Sequence, residues 1–313
     1  MNAPGADPAN SCVNSNVCNF FCADFSQKRL QMPGISHIID KKIETGCFAR
    51  SKQPGRGKVM IRTILIACFL LLFFIAGVFI WGITSIIGRF DKYKQDMICL
   101  RAVQFAFKTV LFLSGVKVDV HGEEHVPKDE AVLYIGNHRS YFDIVITYAR
   151  CPRLTGYVAK DSMLKIPFLR IWMKRLHCLF LDRTDIKAGL KMVLTGIDQI
   201  KNGISMCIFP EGTRADGENE TDMLPFKEGS LKMAEKTGCP IIPMAIVNTA
   251  DIFEKHVPFV RKTHVVLTYG EPVYVKNLDK EQRKHLGSYT QGIIRNMLEN
   301  ELKMQEQISQ QAG

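Results

Sequence analysis

The chain has 313 residues and a formal net charge of +10, and its first 100 residues hold 12 Lys and Arg against 6 Asp and Glu. That length suits one large domain with an accessory segment. The basic excess clusters around the one strongly apolar stretch, and no zinc-finger, helix-turn-helix or RNP-type pattern occurs, so the expected partner is an anionic membrane surface and not nucleic acid.

Residues 1–58 carry Pro, Gly, Asn and Ser without sustained periodicity and end in the basic linker "SKQPGRGK", which reads as a poorly ordered tail. Ten cysteines are scattered along the chain with no CxxC pair, and Cys12, Cys18 and Cys22 lack the spaced His or Cys partners of a zinc site. A reduced, cytosol-facing protein is the simpler reading.

Next comes "TILIACFLLLFFIAGVFIWGITSII", 25 residues (63–87) without a charge. A bilayer core takes about 20 apolar helical residues, so this segment is long enough to span it or to lie deep in one leaflet. Arg50, Lys52, Arg56, Lys58 and Arg62 precede it, and Arg89, Lys92, Lys94 and Arg101 follow. Near-equal basic flanks predict a segment that dips into the membrane and returns on the same face. Residues 97–115 supply the returning amphipathic helix, with Arg101 and Lys108 on its polar side. Residues 59–115 are therefore expected to form a membrane-attached two-helix segment.

From 116 to 313 strand and helix patterns alternate. Strands are expected at 131–136, 156–160, 177–182, 205–210, 239–247 and 264–270. Helices are expected from Ser140, over 185–203, over 227–238 and over 280–305. This is an α/β pattern with a central, largely parallel sheet flanked by helices, preceded by the membrane-embedded segment. Ligands in such sheets gather at the carboxyl ends of strands.

Two turns fall at such ends. The first is "YIGNHRSYFDI" (134–144), with Asn137, His138 and Asp143. Ser140 and Asp143 alone make an S-x-x-D capping box, and a histidine closing a strand is often only a surface or core residue. The second is "IFPEGTRADG" (208–217). Here Gly212 permits close backbone approach, Arg214 offers a planar fork for phosphate oxygens, and Glu211 offers acceptors to hydroxyl groups. The bland alternative is an exposed turn with a surface ion pair. The remaining histidines form no pair at metal-ligand spacing, and "HGEEH" before Pro127 is one residue short of a zinc-binding helix motif.

Taken together, "NHRSYFD" and, about 70 residues later, "FPEGTR" closely resemble the lysophosphatidic acid acyltransferases among the glycerolipid acyltransferases. Between them "AKDSMLKIP" through "LFLDR", with Lys160, Pro167, Asp182 and Arg183, resembles that family's second block, and "IIPMAI" around Pro243 its fourth. The resemblance covers roughly residues 60–275. It implies transfer of a fatty acyl group from a thioester, acyl-CoA or acyl-carrier protein, to the sn-2 hydroxyl of lysophosphatidic acid. No cofactor is implied.

In that reading His138 is the general base and Asp143 fixes its tautomer. Lys160, Arg183 and Arg214 hold the acceptor phosphate, Glu211 and Gly212 place the glycerol, and Thr213 is a further substrate-binding candidate. Lys227 is a further phosphate candidate, or else a helix-start residue. The catalytic domain is expected at the cell membrane, facing the cytoplasm and in contact with membrane lipids. Acylation of glycerol 3-phosphate or of another lysophospholipid is the alternative within the class. A non-catalytic lipid-binding protein is the alternative outside it, and it would need neither His138 nor Asp143.

Overall fold

The computed structural model describes residues 56–182 and 185–311. Residues 1–55 of the expected N-terminal tail, with the Cys12, Cys18 and Cys22 group, thus lie outside the described residues, while residues 56–58 of it begin a helix.

Helix α1 (Arg56–Ile87) is continuous for 32 residues, and Asp91 then caps helix α2 (Lys92–Ser114) by accepting the Lys94 N–H at 2.8 Å. The expected pair of helices is present. On α2, however, the exposed ridge that holds Arg101 and Lys108 also holds Phe105 and Phe112, at 62% and 82% exposure. Sequence reading placed a polar side there; the structure places alternating cations and aromatic rings, the composition of an interfacial helix face.

The sheet has seven strands in the order β1-β7-β6-β2-β5-β3-β4: β1 (Lys117–His121), β2 (Leu133–Gly136), β3 (Thr155–Lys160), β4 (Leu179–Leu181), β5 (Ser205–Ile208), β6 (Ile241–Val247) and β7 (His264–Tyr269). Every adjacent pair is parallel except β6 with β7. The largely parallel sheet therefore stands. Strand β1 was not foreseen, because "KVDVH" is a half-exposed edge strand with little apolar signal.

Central strands are buried on both faces, as parallel strands between helical layers must be. Alternate residues feed two separate cores. Tyr134, Cys207, Ile242 and Met244 join the face covered by α2 and by helices α3 (Tyr141–Tyr148) and α4 (Pro167–Arg175). Leu133, Ile135, Met206, Ile208 and Ile241 join the opposite face, under α5 (Ile186–Lys201), α6 (Lys232–Thr237) and α8 (Leu286–Gln311). Because Cys99, Leu100 and Val103 of α2 belong to the first core, the boundary at residue 115 divides the sequence and not the packing.

Two expected helices are broken. The 227–238 segment opens as a 3-10 turn (Glu228–Leu231) before α6, and the C-terminal helix is split at His285 into α7 (Lys280–Lys284) and α8.

Helix α1 is held along most of its length. Thr63 Oγ1 accepts the Val260 N–H at 3.0 Å, near its start. Phe73 and Phe74 meet Trp172 and Phe168 of α4, with ring centroids 6.1 and 5.3 Å apart. Gly77 makes that approach feasible, since a Cβ there would stand 3.0 Å from the Phe168 ring. Near its end, Arg175 donates to Thr84 Oγ1 and Ser85 Oγ, both at 2.8 Å, and covers the Trp81 ring. The other side of α1 is bare: Leu65, Leu71, Leu72, Ile75, Phe79, Ile83 and Ile86 are all exposed.

Candidate active site

Strand β2 lies beside β5 with Ile135 opposite Ile208, so the turns that follow both strands leave the same edge of the sheet. Asn137 pins the first turn, its side-chain amide donating to Ile246 O at 2.8 Å and accepting the Ile246 N–H at 2.9 Å. Ser140 then caps α3, and Asp143 completes the capping box by accepting the Ser140 N–H.

The capping carboxylate has a second job. Its Oδ2 lies 2.8 Å from His138 Nδ1, and it also accepts the Arg139 N–H at 2.8 Å. The cap and the histidine partner are the same group, so the two readings of "NHRSYFD" are compatible. With a carboxylate as its neighbour, Nδ1 carries the proton and Nε2 keeps a free lone pair. Asp143 is buried while the His138 side chain is 15% exposed, enough for a small reactant to reach it. The imidazole stacks on Phe209 with 4.4 Å between ring centroids and 15° between planes, which fixes its orientation.

Glu211 braces the two turns together. Oε1 accepts the His138 N–H at 2.7 Å and Oε2 the Leu224 N–H at 2.8 Å, and the residue is 4% exposed. Burial pushes its carboxyl above the usual range, against the pull of those two backbone donors. Sequence reading aimed Glu211 at glycerol hydroxyls. The structure turns it inward, because the backbone donors behind it need an acceptor in a buried place.

Gly212 has φ +74, and a Cβ there would come within 2.7 Å of Lys227 Nζ. Lys227 thus lies over the turn, although its backbone also begins the 3-10 turn. Gly212→Ala combines a left-handed alanine with displacement of that ammonium. We expect it to lower stability by about 1–2 kcal/mol. A thermal melt checks this; an unchanged midpoint would show that the turn relaxes freely.

Arg214 does not reach into open solvent. Its Nη1 donates to Glu254 Oε1 at 3.2 Å, and its guanidinium covers the Tyr141 ring at 3.9 Å. Glu254 in turn accepts the Ser140 hydroxyl and the Tyr141 N–H, both at 2.7 Å. Arg214 is therefore held against the start of α3, in whose first turn Asp143 lies, and its side chain keeps 33% exposure.

The structure thus brings His138, Asp143, Glu211, Gly212 and Arg214 together. Thr213 is exposed beside them. Lys160 is exposed at the end of β3, on the far side of β5 from β2, and β3 runs parallel to both so that it ends at the same edge of the sheet. Arg183 lies outside the described residues.

Three contributors escaped sequence reading. Arg139 is buried and donates to Gly217 O at 2.6 Å and Asn219 O at 2.7 Å, anchoring the loop after Arg214. Thr249 and Glu254 come from the segment after β6. Nothing local marks these residues, since their side-chain partners are 40 to 114 positions away.

The chain is similar to known acyltransferases. The family described as Acyltransferase matches residues 117–247. A 1-acyl-sn-glycerol-3-phosphate acyltransferase of Borreliella burgdorferi is 34% identical over 213 residues, 67% of this chain and 80% of that protein. One from Saccharomyces cerevisiae is 28% identical over 73% of each chain. The crystal structure of the 1-acyl-sn-glycerophosphate (LPA) acyltransferase from Thermotoga maritima superposes with a TM-score of 0.67 at 26% identity, covering 79% of this chain and 96% of that one.

Proposed function

Since the chain belongs to the 1-acyl-sn-glycerol-3-phosphate acyltransferase family, we propose that it acylates the sn-2 hydroxyl of lysophosphatidic acid from an acyl thioester, giving phosphatidic acid at a membrane surface. The observation that carries the reading is the 2.8 Å contact of His138 with Asp143 at the strand edge that also carries Arg214.

His138 Nε2 takes the proton of the acceptor hydroxyl as its oxygen attacks the thioester carbon. Asp143 stabilises the imidazolium that forms. The carbon–oxygen bond is made, the carbon–sulfur bond breaks, and the imidazolium returns its proton to the leaving thiolate. The acceptor is its own nucleophile, so no acyl-enzyme is required. Arg214 presents the part of its fork that Glu254 does not hold to the acceptor phosphate, with Lys227 over the Gly212 turn and Lys160 on the adjoining strand as further cations. Purified protein in detergent, offered a panel of lysolipids with acyl-CoA and acyl-carrier protein donors, tests the assignment through product masses. Preference for glycerol 3-phosphate or for a neutral lysolipid would move the reading to another acceptor. No product from any acceptor would support lipid binding alone.

The membrane arrangement follows from α1. Contacts from Thr63 to Ser85 run about 33 Å along the helix at 1.5 Å per residue. A helix crossing the bilayer along its normal would carry those partners into the hydrocarbon, whereas one lying in a single leaflet exposes only its bare apolar side. Both long-chain lipids then stay in the leaflet during reaction, which spares about 0.8 kcal/mol per CH₂ kept out of water. We expect cysteines introduced near residues 50 and 95 to react with an impermeant reagent from the same, cytoplasmic side. Labelling from opposite sides would establish a true span and overturn this arrangement.

A further inference from the structure

After β6 the chain turns at Asn248, whose φ is +68, and this delivers Thr249. Few non-glycine residues adopt that conformation, and asparagine does so at least cost. The result is a buried hydroxyl 106 residues away from its partner: Thr249 Oγ1 donates to Asp143 Oδ1 at 2.5 Å, and Thr249 has no exposed surface. The three other donors to this carboxylate, from His138, Arg139 and Ser140, all go to Oδ2. Thr249 is thus the donor to Oδ1, the oxygen that faces away from the imidazole.

We propose that Thr249 is a positioning residue for the catalytic base: its hydroxyl fixes the rotation of the Asp143 carboxylate and draws negative charge towards Oδ1, away from His138. The proposal rests on the reading of His138 as the base. Without that hydroxyl Oδ1 loses its donor and the carboxylate is held through Oδ2 alone, so its plane can tilt about that anchor and more of its charge falls on Oδ2 beside Nδ1–H. The first effect misaligns the imidazole, and small misplacements cost large factors in rate. The second stabilises the imidazolium and leaves the base protonated to higher pH.

Other ionisable groups around the pair stay in place when Thr249 is changed. Glu211 faces it from the turn after β5 and Cys207 from β5 itself. Glu254, paired with Arg214, holds Ser140 and Tyr141, while the Arg139 guanidinium is turned away to Gly217 and Asn219.

The test compares Thr249→Val, which keeps the branched shape and removes the donor, with Thr249→Ser, which keeps the donor. For Val we expect kcat to fall about tenfold, KM for both substrates to stay within about twofold, and the acidic limb of kcat against pH to move up by about 0.5 to 1 pH unit. Ser should retain kcat within about threefold with the limb unmoved. Should the Val variant fail to fold, Thr249→Cys, a weak donor of similar size, takes its place with the same expectation. The proposal is overturned by wild-type kcat in Val, by Ser as impaired as Val, or by a lower kcat with an unmoved acidic limb, which would mark Thr249 as packing only. The reading beneath it fails separately: turnover in His138→Ala removes the base itself. An inactive His138→Ala beside a normal Thr249→Val removes only the role of Thr249.

Discussion

His138→Ala should abolish acyl transfer, with a loss of at least about 10²-fold in rate, while the protein still folds. The fold should survive because the imidazole contributes little to it. It lies on Phe209 at the rim of the site, partly exposed, and Asp143 keeps its donors from Arg139, Ser140 and Thr249. Chemistry should not survive, because no other imidazole shares the turn and Glu211, the other carboxylate that touches His138, is bound to two backbone amides. Asp143→Asn should cost nearly as much in rate and, unlike the histidine change, should also cost stability. An amide has one acceptor oxygen where the carboxylate has two, so a buried donor among the four is left facing an NH₂ group, worth about 1–3 kcal/mol. Steady-state turnover and a thermal melt on both variants separate the two effects. More than a tenth of wild-type turnover in His138→Ala would remove the base from the mechanism.

How much of this was legible in the sequence depends on how far apart the cooperating residues lie. The capping box at Ser140 and Asp143 is three residues long, and the structure forms it where the pattern placed it. The histidine partnership spans five positions and rests on the same turn, so it too was visible. The apolar run declared α1 by composition, and strands β2, β5 and β6 by their short buried stretches. What stayed hidden depends on topology. Glu211 reads as a ligand-facing carboxylate until β5 is seen beside β2, which sets it against the His138 amide. Nothing in the sequence marks Thr249 and Glu254 until β6 is placed on the other side of β2, which brings their segment onto the start of α3. Edge strand β1 and short helix α4 were missed for a different reason. Strand β1, "KVDVH", carries little apolar signal, and α4, at nine residues, is too short for a helical period to stand out.

Arg214→Ala should raise the KM for lysophosphatidic acid by roughly 30- to 150-fold, the equivalent of about 2–3 kcal/mol, and leave the KM for the proposed thioester donor nearly unchanged. The magnitude is that of one charge-assisted contact to phosphate plus the cost of leaving the anion poorly paired. The structure also defines the competing explanation. Arg214 already touches Glu254 and the Tyr141 ring, so it could act only by fastening the turn after β5 to the start of α3. That pair is a third exposed on the arginine side, and such partly solvated pairs contribute about 1 kcal/mol at most, too little to account for the full expected loss. Two comparisons decide between the roles. Arg214→Lys should recover only part of the affinity, since a point charge reproduces neither the fork nor the stack on Tyr141. Monoacylglycerol, which lacks the phosphate, should be a poor acceptor for the wild type and nearly indifferent to the Arg214 change. If phosphorylated and unphosphorylated acceptors lose equally, Arg214 is a fastening between the turn and α3, and the phosphate must be held by Lys160, Lys227 or Arg183 instead.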